Sequence, residues 1–202
     1  MRWRAALIGL ALFLPACQQA ADAAERTVNA PAARRIAQEI PQKGPKKLQV
    51  AVFAGGCFWG VEGVFSHVKG VTSAVSGYHG GRAGDGTYAA VSSGKTGHAE
   101  AVRVVYDPAQ VRYDQLLQIF FSVVADPTTL NRQGPDHGPQ YRSALIPLDA
   151  EQAAVARAYL AQLKLSGLWA RPLVTRIESY RRFIPAEAEH QDFMVRNPQN
   201  GY

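Results

Sequence analysis

Cysteine is nearly missing from this chain: among 202 residues there are two, Cys17 and Cys57. No Cys-x-x-Cys and no His-Glu-x-x-His occurs, and the five histidines are scattered, so the common zinc-binding spacings are excluded. His98-Ala99-Glu100 has the deaminase His-x-Glu pattern, but the Pro-Cys-x-x-Cys that pattern requires is missing. There is no Lys/Arg-rich tract and no nucleic-acid motif. The net charge of +6 therefore reads as a solvated basic surface, with no nucleic-acid partner. Internal repeats are lacking too. The apolar run Ala5 to Leu14 is too short to span a bilayer as a stable helix.

That run instead reads as the core of an export signal, with Arg2 and Arg4 as its positive flank. Two cleavage patterns compete. Leu14-Pro15-Ala16-Cys17 resembles a lipobox, in which Cys17 would carry a lipid anchor, and Ala21-Asp22-Ala23 has the small-x-small form of ordinary cleavage. Either places the mature protein outside the cytoplasm, in a periplasm or cell envelope. Residues 1–23 are thus expected to be a leader and 24–47, rich in Ala, Pro, Gln and Lys, a tether. Residues 48–202 form one domain. With 47% hydrophobic residues the chain can bury a real core.

Apolar periodicity predicts a strand over Leu48–Ala54, a helix over Cys57–Val68 and a strand over Val71–Tyr78. A glycine-rich loop follows, with a short helix near Tyr88–Val91. His98–Tyr106 is a strand, Tyr113–Val124 a helix, and Asp126–Gln140 an irregular polar loop. Tyr141–Pro147 is a strand and Asp149–Ser166 a helix with Asp149 and Gln152 in a capping arrangement. Leu173–Ser179 is a strand, and Ala186–Arg196 a final helix behind Pro185. This order predicts an α+β two-layer sandwich, with helices packed on a ferredoxin-like mixed sheet.

Cys57 follows Gly55-Gly56 at the start of a helix. Unpaired N–H groups there favour a thiolate. A buried packing cysteine is the plainer alternative. Phe58 and Trp59 can wall an apolar pocket before a cap cysteine. On the strand, period-2 alternation sets His98, Glu100, Val102, Val104 and Tyr106 on one face. Glu100 then sits on a largely apolar face, where desolvation raises a carboxyl pKa. An acid beside a thiol makes a proton donor and nucleophile pair. The loop before Tyr141 adds Asp136 and His137, and Tyr78, Tyr88 and Tyr141 are candidate hydroxyl donors or simply packing residues.

In order along the chain stand Gly56-Cys57-Phe58-Trp59-Gly60, Gly77-Tyr78-His79-Gly80-Gly81, Thr87-Tyr88, Thr96-Gly97-His98-Ala99-Glu100 and Asp136-His137-Gly138-Pro139-Gln140-Tyr141-Arg142-Ser143. Together with His190-Gln191 and Asn197-Pro198, this set resembles the A-type peptide methionine sulfoxide reductases from about Val50 to Tyr202. The resemblance implies reduction of methionine S-sulfoxide, free or in proteins. It makes Cys57 the nucleophile, Glu100 the proton donor, and Tyr88, Tyr141 and Asp136 the polar side of the site. Phe58, Trp59 and His98 would contact substrate. No cofactor or metal is implied. Many members carry resolving cysteines on a C-terminal tail, and no such cysteine follows Asn197 here. The expectation is a one-cysteine, monomeric enzyme reduced by an external thiol such as thioredoxin, a thioredoxin-like protein or dithiothreitol. The rival reading from spacing alone is a papain-like hydrolase, which needs Cys57 paired with His190.

Overall fold

The computed structural model describes residues 28–34 and 47–200. The leader, Cys17 and part of the expected tether lie outside these residues. The strands are β1 Gln49–Gly55, β2 Val71–His79, β3 Ala99–Tyr106, β4 Arg132–Gln133, β5 Asp136–His137, β6 Ser143–Ile146, β7 Arg176–Ile177 and β8 Phe183–Pro185. The helices are α1 Phe58–Ser66, α2 Tyr88–Ser92, α3 Tyr113–Ile119, α4 Ala150–Leu165 and α5 Phe193–Arg196.

Six strands form one mixed sheet in the order β7-β6-β1-β3-β2-β8. Its four central strands, with α1 between β1 and β2 and α3 between β3 and β6, give the β-α-β-β-α-β arrangement of a ferredoxin-like sandwich. All pairs are antiparallel except β6 with β7. The first strand is buried from Ala51 to Gly55 because both its neighbours are paired and helices cover one face. Phe53 stacks on Phe65, Tyr113 and Phe120, and this aromatic group ties β1 to α1 and α3. The α3 helix continues into a single π turn, Phe120–Val124, which presses Phe120 onto Gly55. Asp149 Oδ1 accepts from Gln152 N–H at 2.8 Å and starts α4.

Four expectations need correction. Tyr141 lies outside the strand: Pro139–Tyr141 is a 3-10 turn and β6 begins at Ser143. Of Leu173–Ser179 only Arg176 and Ile177 are strand, since only they reach partners on β6. The final helix is broken into a 3-10 turn, Ala188–His190, and α5, because Asp192 takes a left-handed φ of 51° between them. Residues 28–34 are not free tether. Val28 N–H donates to Ser122 O and Gln118 Nε2 donates to Ala30 O, while Tyr159 Oη donates to Pro31 O at 2.7 Å. Ala30 is buried, so this segment is a strap across α3, its π turn and α4.

Candidate active site

Cys57 is the N-cap of α1. Gly56 makes the turn into it with φ of 100°, where a side chain would be strained. A Cβ there would also meet Gln133 Cβ at 2.6 Å, so the glycine lets the β4–β5 hairpin close over the turn. Gln133 holds that hairpin by accepting from Asp126 N–H at 2.9 Å and donating to Asp126 O at 3.0 Å.

Glu100 lies on β3, 1% exposed, and its Oε2 accepts from Phe58 N–H at 3.0 Å. One amide is too little to hold a buried charge. Burial lifts its pKa to about 8; the Phe58 N–H opposes this and the Asp136 charge adds to it. Glu100 is therefore mostly protonated at neutral pH. Burial also pushes the Cys57 thiol up, as do the charges of Glu100 and Asp136, against the N–H groups of Trp59 and Gly60 that point to its sulfur. Here the helix-terminus expectation is corrected: the amides are present, but desolvation outweighs them. The resting pair is a thiol beside a carboxylic acid.

The two tyrosines and the aspartate converge on this pair. Burial raises the phenols of Tyr88 and Tyr141, and both feel the charges of Glu100, Asp136 and Cys57. Burial likewise raises Asp136, whose Oδ2 is enclosed with no hydrogen-bond partner among the described residues. Tyr141 is framed by its neighbour Arg142, whose guanidinium forks onto Glu178 at 2.7 and 3.1 Å and reaches Pro139 O and Gly97 O.

Phe58 is buried, whereas Trp59 stands half-exposed at the mouth. Phe193 stacks on Trp59 with ring centroids 3.7 Å apart, and Tyr88 packs tilted against His190 at 4.2 Å. Trp59 Nε1–H donates to His190 Nδ1 at 3.2 Å. His190 is thus spent on orienting the indole, and the Cys57–His190 pairing required by a hydrolase is not what its ring makes. His98 has a framework role as well: Nδ1 accepts from Gly81 N–H, and Nε2 pairs with Arg82 O at 2.9 Å. Both ring nitrogens are occupied by the loop, leaving none for substrate.

Glu187 was not legible as a site residue. Its Oε1 accepts from Tyr88 N–H and its Oε2 from Tyr78 Oη, each at 2.8 Å, so it pins the start of α2 where Tyr88 stands. Phe193 was missed too. Both come from the C-terminal segment, and no local pattern signals a contact made across about a hundred residues of chain. Among the described residues, no group of three His, Cys, Asp or Glu could hold a metal ion.

The site offers a nucleophilic thiol, a protonated carboxyl, two phenols and an apolar wall, on a ligand small enough to enter between them. The model of the peptide methionine sulfoxide reductase family matches residues 49–202. The chain is 52% identical over 163 residues to the peptide methionine sulfoxide reductase MsrA 2 of Mesorhizobium japonicum, covering 81% of this chain and 84% of that protein. It is 49% identical over 155 residues to the Chromobacterium violaceum MsrA, covering 77% and 88%. The structure resembles methionine sulfoxide reductase A of Corynebacterium diphtheriae, with TM-score 0.66 and 30% identity over 87% of this chain and 86% of that one. It also resembles reduced Mxr1 of Saccharomyces cerevisiae, with TM-score 0.67 and 32% identity over 79% and 90%.

Proposed function

This chain belongs to the peptide methionine sulfoxide reductase family and has that enzyme activity, and from that premise we propose how its site performs the reaction. The Cys57 sulfur attacks the sulfur of methionine sulfoxide. Glu100 gives its proton to the sulfoxide oxygen, which would otherwise have to leave as an oxide. The thiol proton returns to Glu100, so the acid is restored within the turn. As oxygen passes to Cys57, an S–O bond forms on Cys57 while the substrate's S–O bond and the S–S bond made by the attack both break. The products are methionine, reduced by two electrons, and a sulfenic acid on Cys57. Tyr88 and Tyr141 hold the oxygen through their hydroxyls, Asp136 holds the polar side, and Phe58 and Trp59 receive the S-methyl group.

The observation that carries this reading is the pairing of an enclosed, protonated Glu100 with Cys57 across the first turn of α1. Sulfoxide sulfur is chiral, and a site with its oxygen donors on one side and an apolar wall on the other accepts one epimer. That epimer is S.

Cys57 is the one free cysteine among the described residues. We propose that an external dithiol of the thioredoxin kind condenses with the sulfenic acid, releases water and leaves as its own disulfide. Export to the envelope, with or without a lipid on Cys17, and a monomeric state complete the proposal. Steady-state assays with dithiothreitol on the separate S and R epimers test it. Turnover of S alone, lost in Cys57→Ser, is expected; equal turnover of R would overturn the stereochemical reading.

A further inference from the structure

Cys57, Tyr88, Glu100 and Asp136 each cap or belong to a helix or strand, whereas Tyr141 ends a three-residue turn. Two backbone bonds close that turn, Tyr141 N–H to Gly138 O at 3.0 Å and Arg142 N–H to Pro139 O at 3.4 Å. Its further support comes from the Arg142 side chain. Nη1 donates to Pro139 O at 3.0 Å, and Nη2 donates to Gly97 O at 3.3 Å. Pro139 opens the turn that Tyr141 ends, and Gly97 stands three residues before Glu100. One planar group therefore joins the segment that carries a phenol to the strand that carries the acid.

The plane of that group is set from behind. Arg142 Nε and Nη2 fork onto the two oxygens of Glu178 at 2.7 and 3.1 Å. Glu178 is itself fixed, since its N–H donates to Leu145 O on β6 at 2.9 Å, and buried His79 stands with Nδ1 4.0 Å from its Oε2. Burial works against the Glu178 charge, but the Arg142 fork, with His79 and Arg176, holds its carboxyl below the ordinary value. Gly80 leaves room for the fork: a Cβ there would meet Arg142 Nη2 at 3.0 Å. We infer that Glu178 and Arg142 are positioning residues of the reaction, which set the Tyr141 hydroxyl at its working distance from Glu100 and the sulfoxide oxygen. This rests on the reductase reading and adds to it two residues that touch neither substrate nor Cys57.

Two arguments favour positioning over support of the fold. The first is energetic. An enclosed ion pair stabilises a fold no better than apolar side chains of similar volume. What a fork adds is direction, because two parallel bonds fix the guanidinium plane and its remaining N–H groups with it. The second is chemical. The substrate oxygen takes a proton from Glu100 while a phenol holds it, so hydroxyl and carboxyl must be set together. A displacement of about 1 Å at such a site costs on the order of a hundredfold in rate. Glu100 is held in register opposite Tyr78 in the β2–β3 ladder. Tyr141 has no ladder, and the fork takes its place.

The test measures single-turnover rates on methionine S-sulfoxide with Glu178→Gln placed in two backgrounds. Glutamine keeps the size and one acceptor oxygen but loses the charge and the second acceptor, so the fork loosens. Tyr88→Phe leaves Tyr141 as the one phenol on the oxygen. In that background Glu178→Gln should lower the saturating rate about tenfold, the worth of one hydrogen bond to a charged group, with the half-saturating concentration unchanged. Tyr141→Phe removes the hydroxyl being positioned. In that background the same change should stay within about twofold, the margin within which independent changes add. Arg142→Lys, which keeps the charge but cannot fork, should repeat both results. Equal losses in the two backgrounds, or no loss beside Tyr88→Phe, would overturn the inference. So would the disappearance of the urea unfolding transition in both Glu178→Gln and Arg142→Lys, since the pair would then serve the fold as a whole. If the unaltered protein does not reduce the S-sulfoxide, the reductase reading itself fails and this inference with it.

Discussion

At Cys57 two influences oppose each other. Amides at the helix start favour a thiolate, while burial and the facing Glu100 disfavour it, and the second pair prevails. Glu100→Gln removes the charge but keeps the shape. Alkylation of Cys57 by iodoacetamide, followed against pH, should therefore begin at lower pH in this variant than in the parent. Sulfoxide reduction should nevertheless fall by about 10²–10⁴-fold, because the proton donor is gone. The sign of the parent's pH dependence follows from the same residue. Its carboxyl pKa is raised to about 8, so the donor is present below that pH and lost above it. Single-turnover rates should decline as pH rises through about 8, and the Glu100→Gln variant should lack that decline. Glu187 is a positioning residue in the same sense. Glu187→Ala should reduce kcat more than Glu187→Gln, since the amide still offers Tyr88 N–H an acceptor. At this scale Cys57 and Glu100 were legible, because a glycine turn before a helix and period-2 alternation are local signals. Glu187, and the bond that His190 makes to Trp59, were not, since the partners on α1, β2 and α2 are far away in sequence.

Among the elements, β1, α1, β3 and α4 were readable because each carries its own apolar period. The short pieces were not. β8 is three residues between Arg181-Arg182 and Ala186, with Pro185 inside it, and exists only because β2 pairs with it. The β4–β5 hairpin has two residues on each side and is held mainly by Gln133 and the Gly56 turn. Gly56→Ala brings strain at φ of 100° and a Cβ against Gln133. It should cost about 1–3 kcal/mol in urea unfolding and should raise KM, because the displaced hairpin carries Asp136.

For the whole molecule, the sandwich sets β1, β3, the hairpin and the C-terminal segment around one helix start, so four distant stretches of chain meet at Cys57. The strap of residues 28–34 adds a fifth stretch that takes no hydrogen bond from the site. Its composition of alanine and proline reads as linker, and only its hydrogen-bond partners on α3, the π turn and α4 reveal it. Tyr159→Phe, which removes the bond to Pro31 O, should lower stability by about 1 kcal/mol and leave kcat/KM unchanged.

The central claim is that Cys57 itself takes the oxygen. Mass spectrometry of the protein after one turnover on methionine S-sulfoxide, with no reductant present, tests it most directly. One equivalent of methionine and one added oxygen on the Cys57 peptide, absent in Cys57→Ser, is the predicted result. Methionine formed without a change at Cys57, or with that residue in a disulfide to the same chain, would contradict the account.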